Sequence, residues 1–277
     1  GGEPFKQKNE SPQAFGYVTI DEAMRQSINV PFAQLIFDVG HDKVSGVARS
    51  TGILDESMDP DDNASFALGT STPSAIRMAD SYATFAASGT HHEPFSVTKV
   101  TEDGEELPGF EPPKSVRAMD DAIADNITKV LRNVVENGTG IKAKKLGRPA
   151  AGKTGTTSSN EYNWFVGYTP LRATAVWVGF PGEMRSMNRQ TINGRTYYRG
   201  PYGSSIAGPT WSRFMTQVLA GAENPGFSNA GDREVFGERV AVPSVVGRSE
   251  SDARGALERA GFRVSVSGEQ VQSPYPA

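Results

Sequence analysis

The alternation of apolar and polar positions changes period several times along the chain, and each change marks an element. Residues 19 to 40 predict a helix, a break and a second helix. Thr19 with Glu22 three residues later has the form of a capping box, and Ile20, Ala23 and Met24 give the first helix an apolar face. Ser27-Ile28-Asn29 interrupts the pattern, Pro31 suits a first helical turn, and residues 32 to 39 continue as a mostly apolar helix stopped by Gly40. Thr72-Pro73 opens another helix, whose stripe of Ile76, Met78, Ala79, Tyr82, Ala83, Phe85 and Ala86 reads as a core face ending before Gly89. Between residues 95 and 107 the character is β-like around Asp103-Gly104, a strong hairpin signal. Residues 119 to 135 carry Ile123, Ile127, Val130, Leu131 and Val134 at helical spacing and end at Asn137-Gly138. Three strand candidates follow at 150 to 157, 164 to 168 and 173 to 180. Their connections are too short for a parallel crossover, so the strands must be antiparallel neighbours. A last helix is predicted at 210 to 219, after Pro209.

From residue 222 the chain shifts to Gly, Asn, Asp and Glu with little periodicity, the pattern of a linker. This divides the protein into a large domain at 1 to 222, a linker at 223 to 239 and a small module at 240 to 277. The module reads as strand, turn, amphipathic helix (Ala253, Ala256, Leu257, Ala260), a stop at Gly261, and strand. It falls at or below the ~40 residues an unstapled domain needs to stand alone, and so reads as a partial module.

With 37% hydrophobic residues among 277, the chain can bury a sizeable core. A net charge of -4, from 28 basic and 32 acidic residues, supplies no positive field for nucleic acid. The absence of cysteine excludes a disulfide framework, a thiol nucleophile and thiolate-bound metals. His41, His91 and His92 lie in polar, turn-like stretches and read as solvated loop residues, so no metal site or histidine-based triad is expected. The chain has no apolar run near the ~18 residues of a membrane helix and no signal-peptide pattern. It starts in a polar stretch without Met and reads as a piece of a longer protein.

The segment GRPAAGKTGTT, residues 147 to 157, supports two kinds of chemistry. Gly147, Gly152, Lys153 and Thr154 fit the phosphate-loop pattern Gly-x-x-x-x-Gly-Lys-Ser/Thr. That loop requires an apolar strand before it and a helix N-terminus after it, and neither flank provides one, so no nucleotide is expected. The alternative is an edge strand, Lys153-Thr154-Gly155-Thr156-Thr157, pairing with an extended peptide. Gly155 would allow close backbone approach, and an ammonium beside hydroxyls can hold a carboxylate. Strand alternation puts Lys153, Gly155 and Thr157 on one face and Thr154 and Thr156 on the other.

Taken with Ser27-Ile28-Asn29, this segment makes the chain resemble the transpeptidase domain of class A penicillin-binding proteins. That family has Ser-x-Asn at a break between helices, here within DEAMRQSINVPFAQL, and Lys-Thr-Gly-Thr-Thr on a strand followed by aromatic-rich strands like NWFVGYTP and AVWVGF. LGTSTPSAIRMADSYATFAASG and VVENGTG look like its intervening segments, and the likeness spans roughly residues 9 to 220. It implies an α+β fold of three layers, helix, antiparallel sheet and helix, of the serine D,D-transpeptidase (β-lactamase-like) type, incomplete at its N-terminal end.

By this resemblance Ser27 and Lys153 belong to the proton network around the nucleophile, and Asn29 binds the substrate amide. Thr154 and Thr156 hold the substrate carboxylate, with Gly155 and Thr157 completing the binding strand, and the Thr156 N–H supplies half of the oxyanion hole. Such an arrangement suits acyl transfer, which needs preorganised donors where negative charge develops. The family's nucleophile belongs to a Ser-x-x-Lys motif upstream of Ser-x-Asn. Here the one match, Ser96-Val97-Thr98-Lys99, comes downstream in a strand-like stretch, where residues i and i+3 face opposite sides. It reads as a decoy, and the nucleophile is expected outside this chain. The resemblance further implies peptidoglycan stem peptides and β-lactam antibiotics as ligands, no cofactor, and a place on the extracellular face of the cytoplasmic membrane. A membrane helix and a glycosyltransferase domain would lie outside these residues. The tail VPSVVGRSESDARGALERAGFRV resembles the first half of a PASTA module, which implies contact with peptidoglycan or with cell-wall or division proteins. Two alternatives remain: a non-catalytic peptidoglycan or β-lactam-binding protein of the same fold, and a β-lactam sensor or hydrolase, which the flanking text and the tail disfavour.

Overall fold

The computed structural model describes residues 7 to 10, 13 to 231 and 242 to 266, in two compact units, Gly1–Gly231 and Asp232–Ala277. In the first unit, helices α1 (Ile20–Gln26) and α2 (Asn29–Val39) flank the predicted break. Thr19 caps α1 by accepting from the Glu22 N–H, while the Glu22 carboxylate turns to the Arg25 guanidinium instead of back to the cap. Helix α3 (His41–Ser50) was not legible in the polar sequence HDKVSGVARS; it forms because Val44 packs on a cluster of Ala33, Ile36, Ala64 and Phe66. His41 is therefore the first residue of a helix, edge-on to Phe66 with ring centroids 4.3 Å apart, and no solvated loop residue.

Helix α4 (Ala75–Ala86) begins at Ser74, whose hydroxyl accepts from the Arg77 N–H. Its Tyr82, Phe85 and Ala86 enter the core, whereas Ile76, expected in the core stripe, is 61% exposed and lies off the buried face. Two short antiparallel pairs follow: β1 (Thr90–His91) with β4 (Val116–Arg117), and β2 (Thr101–Glu102) with β3 (Glu105–Glu106). The second pair is the hairpin expected at Asp103-Gly104, where both residues have positive φ, but its strands are two residues long. His91 also departs from the solvated reading: it is mostly buried and bonds Asp80 at 3.0 Å. Burial raises the Asp80 pKa, and the hydrogen bond from His91 opposes that rise.

Helix α5 (Asp121–Asn137) buries Ala124, Thr128, Leu131, Val134 and Val135 and leads through a 3-10 turn, Ile141–Leu146, into the main sheet. There β5 (Ala151–Thr156), β6 (Tyr162–Thr169) and β7 (Arg172–Gly179) lie antiparallel in that order, as the short connections required. A further hairpin, β8 (Gln190–Ile192) and β9 (Arg195–Tyr197), precedes α6 (Ala207–Val218). Alternation along the strands assigns the sheet's two faces. Phe165, Val176 and Val178 face Trp211 and Met215 of α6. Ala151, Tyr168 and Ala173 face α1, α4 and α5 through Met24, Phe85 and Leu131. The result is the expected α+β fold with helices on both faces of an antiparallel sheet.

The compact unit continues past residue 222, where the linker was placed. Phe227 packs edge-on to Tyr168, with centroids 5.6 Å apart, and Asn126 donates to the Gly231 carbonyl oxygen at 3.0 Å. Arg148 donates to the carbonyl oxygens of Leu219 and Ala222. The rest of the expected linker, 232 to 239, lies outside the described residues, as does the start of the module at 240 and 241.

In the second unit, helix α7 (Glu250–Arg259) has Ser249 as its N-cap, accepting from the Asp252 N–H, and closes at Gly261 with φ +88°. The helix and its glycine stop are as read from the sequence. The two flanking strands are not: 242 to 248 and 262 to 266 have no strand pairing among the described residues.

Candidate active site

The site is built where the α1–α2 break meets the free edge of β5. Ser27 ends α1 in a left-handed conformation (φ 59°, ψ 47°), with its N–H and that of Ile28 returning to the carbonyl oxygens of Met24 and Ala23. A glycine usually fills this position of a helix stop. A serine there accepts about 1 to 2 kcal/mol of backbone strain, and it brings a hydroxyl to a fixed place. Ile28, 3% exposed, anchors the break in the core. Asn29 then opens α2, and its side-chain N–H donates to the Lys8 carbonyl oxygen at 3.4 Å.

Lys153 lies on the β5 face that looks toward α1. Its Nζ donates to Ser27 Oγ at 2.7 Å and to the Thr154 carbonyl oxygen at 2.9 Å. Burial disfavours the charged amine and lowers its pKa from 10.5 to about 8. The two residues are 126 positions apart in sequence, and the fold puts them in direct contact.

Among the described residues no strand pairs with the outer edge of β5. The Thr157 N–H donates to the Tyr162 carbonyl oxygen, so alternation turns the polar groups of Thr157, Gly155 and Lys153 toward β6 and those of Thr156 and Thr154 outward. The Thr156 N–H thus points away from the sheet, and its hydroxyl oxygen accepts from the Gly203 N–H at 3.2 Å, which leaves its own proton available. Gly203 lies flat against the strand, since a Cβ there would strike the carbonyl oxygens of Trp164 and Gly155. A Cβ added at Gly155 would meet the Trp164 side chain at 3.3 Å. The Thr157 hydroxyl is used within the fold, accepting from the Glu161 N–H at 2.8 Å and shaping the turn into β6.

Lys153 and Thr154 are paired with Val166 and Phe165 in an extended strand, a geometry unlike a loop curled around phosphate. The decoy motif is likewise not assembled: Lys99 pairs with Glu106 at 3.1 Å, in irregular chain before β2 and not in a strand. Among the described residues, one group has donor atoms close enough to share a cation: Asp80, His91 and Glu93. The Arg77 guanidinium already lies 2.6 Å from Glu93 and 3.6 Å from Asp80, so the positive charge is in place without a metal. Residues 137 to 140 join α5 to the 3-10 turn. Thr139 is part of the site's frame, with its hydroxyl 2.7 Å from that of Thr154.

The penicillin-binding protein transpeptidase domain model matches residues 1 to 180. The chain belongs to the penicillin-binding protein transpeptidase family. A PASTA domain model matches residues 240 to 277. Among curated relatives, penicillin-binding protein 1A of Aquifex aeolicus is 30% identical over 226 residues, covering 82% of this chain and 29% of that protein. The Neisseria lactamica protein of the same name is 30% identical over 231 residues, covering 81% and 27%. The chain thus spans less than a third of these relatives. Among solved structures, PonA1 of Mycobacterium tuberculosis in complex with penicillin V is 30% identical with a TM-score of 0.67, over 78% of this chain and 60% of that one. A second PonA1 structure gives 28% identity and a TM-score of 0.70, over 87% and 66%. Penicillin-binding protein 1A of Haemophilus influenzae, at 20% identity and a TM-score of 0.69, shares the fold.

Proposed function

We propose that this chain forms part of the catalytic domain of a peptidoglycan D,D-transpeptidase, a serine acyltransferase of class A type that β-lactams acylate. The observation that carries this reading is the 2.7 Å contact between Lys153 Nζ and Ser27 Oγ at the free edge of β5. The nucleophilic serine and its lysine are supplied by residues outside this chain. The family's membrane helix and glycosyltransferase domain lie there too. The domain acts on the extracellular face of the cytoplasmic membrane; no helix among the described residues is long and apolar enough to cross one. The module at 240 to 277 contacts peptidoglycan or cell-wall proteins.

A stem peptide or β-lactam lies along the outer edge of β5. Its carboxylate is held by the Thr154 and Thr156 hydroxyls under the field of the Lys153 ammonium, and its carbonyl oxygen is turned to the outward Thr156 N–H. Asn29 binds the substrate amide. When the nucleophile's oxygen bonds to the carbonyl carbon and gives its proton to its own motif's lysine, the C–N bond breaks and the leaving nitrogen needs a proton. Ser27 is placed to hand it over, because its oxygen accepts from Lys153 and its own O–H is available for the next partner. Lys153 then refills Ser27. No metal or organic cofactor takes part.

Both uses of Lys153 require its protonated form, which sets the sign of the pH dependence. The second-order rate of penicillin acylation of the full-length protein should fall as pH rises through about 8, the value to which burial lowers this lysine. A rate profile flat from pH 7 to 10, or one rising through 8, would contradict the donor role. Absence of acylation at every pH would instead favour the non-catalytic alternative.

A further inference from the structure

The segment Asn137-Gly138-Thr139 belongs to no catalytic motif, yet it is bonded to both halves of the site. On one side, the Thr139 N–H donates to the Arg25 carbonyl oxygen at 3.2 Å, and Arg25 Nη1 returns to the Asn137 carbonyl oxygen at 2.7 Å. This approach is close enough that a Cβ on Gly138 would collide with the Arg25 carbonyl oxygen. Arg25 is held in turn by Glu22, and two residues later the helix ends at Ser27. On the other side, Thr139 Oγ1 lies 2.7 Å from Thr154 Oγ1, next to Lys153. Together with the 2.7 Å bond from Lys153 to Ser27, these links close a ring: Ser27, Arg25, Thr139, Thr154, Lys153 and back to Ser27.

The ring has a chemical consequence beyond holding the parts together. A threonine hydroxyl carries one proton. If Thr154 gives its proton to Thr139, it can only accept from a ligand. When Thr139 is the donor, Thr154 keeps its own O–H for an outside acceptor, and a carboxylate is an acceptor only. We propose that Thr139 is a positioning residue that donates its hydroxyl proton to Thr154 and thereby aims the Thr154 O–H at the substrate carboxylate. The chain of donors runs Thr139 to Thr154 to carboxylate, and it ends on a charged group, where hydrogen bonds are strongest. This inference rests on the transpeptidase reading of the site and adds a carboxylate-selecting residue to it.

The test compares two β-lactams on the full-length protein: a penicillin with its free carboxylate, and the same penicillin as its methyl ester, which lacks the anionic acceptor. Thr139→Val keeps the size and the backbone bond to Arg25 but removes the hydroxyl. It should lower the second-order acylation rate with the free acid at least tenfold and leave the ester's slower rate within about twofold. Thr139→Ser, which restores a hydroxyl, should recover the free-acid rate to within about threefold. Equal losses on acid and ester in Thr139→Val would overturn the proposal, since they would mark a residue that only holds the fold. An unchanged free-acid rate would overturn it as well. A wild-type protein that neither compound acylates would refute the transpeptidase reading itself, which separates the two failures.

Discussion

Lys153→Ala in the full-length protein should reduce penicillin acylation by a factor of 100 or more while leaving the domain folded. The ammonium donates to Ser27 Oγ at 2.7 Å and to the Thr154 carbonyl oxygen at 2.9 Å, and in the proposed mechanism its charge also serves the substrate carboxylate. Removing one preorganised donor from an acyl-transfer site costs about 10²- to 10³-fold in rate. Folding should not suffer in proportion. The folded-state pKa of Lys153 is lowered from 10.5 to about 8, so between those values the unfolded chain binds more protons than the folded one. Stability attributable to this group therefore rises with pH across that window, and below about pH 8 the buried charge opposes folding. At neutral pH alanine removes that opposition and leaves a small void. Stopped-flow acylation with a thermal melt of the same sample decides the matter. A rate within threefold of wild type would remove Lys153 from the mechanism, and a melt lowered by more than about 10 °C would make it a structural residue.

The largest stability effect is expected at Trp211. Its side chain is fully buried, the indole N–H donates to the Gly167 carbonyl oxygen at 3.1 Å, and its ring meets Phe165 edge-on with centroids 5.2 Å apart. The slot it fills exists because Gly152 and Gly167 face each other across β5 and β6; a Cβ on Gly167 would come within 2.7 Å of Phe165 and 3.1 Å of Trp211. Trp211→Ala leaves a cavity and removes the indole hydrogen bond, a loss of about 3 to 5 kcal/mol. That approaches the lower end of total domain stability, about 5 to 15 kcal/mol. Urea denaturation should show the transpeptidase domain's unfolding free energy lowered by that amount, with Trp211→Phe falling between. A loss under about 1 kcal/mol would show that α6 does not depend on this contact.

The sequence made most of the site legible, and for a physical reason. Ser27-Ile28-Asn29 announces itself as a break in helical periodicity, and Lys153 to Thr157 as a short polar strand ahead of two apolar ones, so both motifs sit where local pattern changes. Elements stabilised by tertiary contacts left weaker traces. Helix α3 has few apolar residues and a central Gly46; its stability comes from packing on α2 and Phe66, which no local period records. His91 looked solvated because its neighbours in sequence are polar, while its partner Asp80 is on α4. The β8–β9 hairpin did carry a readable signal, Asn193-Gly194 flanked by alternating residues, and both take positive φ as such a turn requires. Thr139 could not be singled out from sequence, because its importance lies in bonds to Arg25 and Thr154, residues distant along the chain.

The most direct measurement is the position of the acyl group after the full-length protein reacts with a fluorescent penicillin, read by intact mass and peptide mapping. In the proposed mechanism Ser27 carries a proton, its oxygen already accepting from Lys153, and the lysine of the Ser96 motif, Lys99, is paired with Glu106. One stoichiometric adduct is expected, on a serine outside residues 1 to 277, and the isolated chain should take up no label. A stoichiometric adduct on Ser27, Ser96 or any other serine of this chain would contradict the placement of the nucleophile and with it the relay through Ser27 and Lys153.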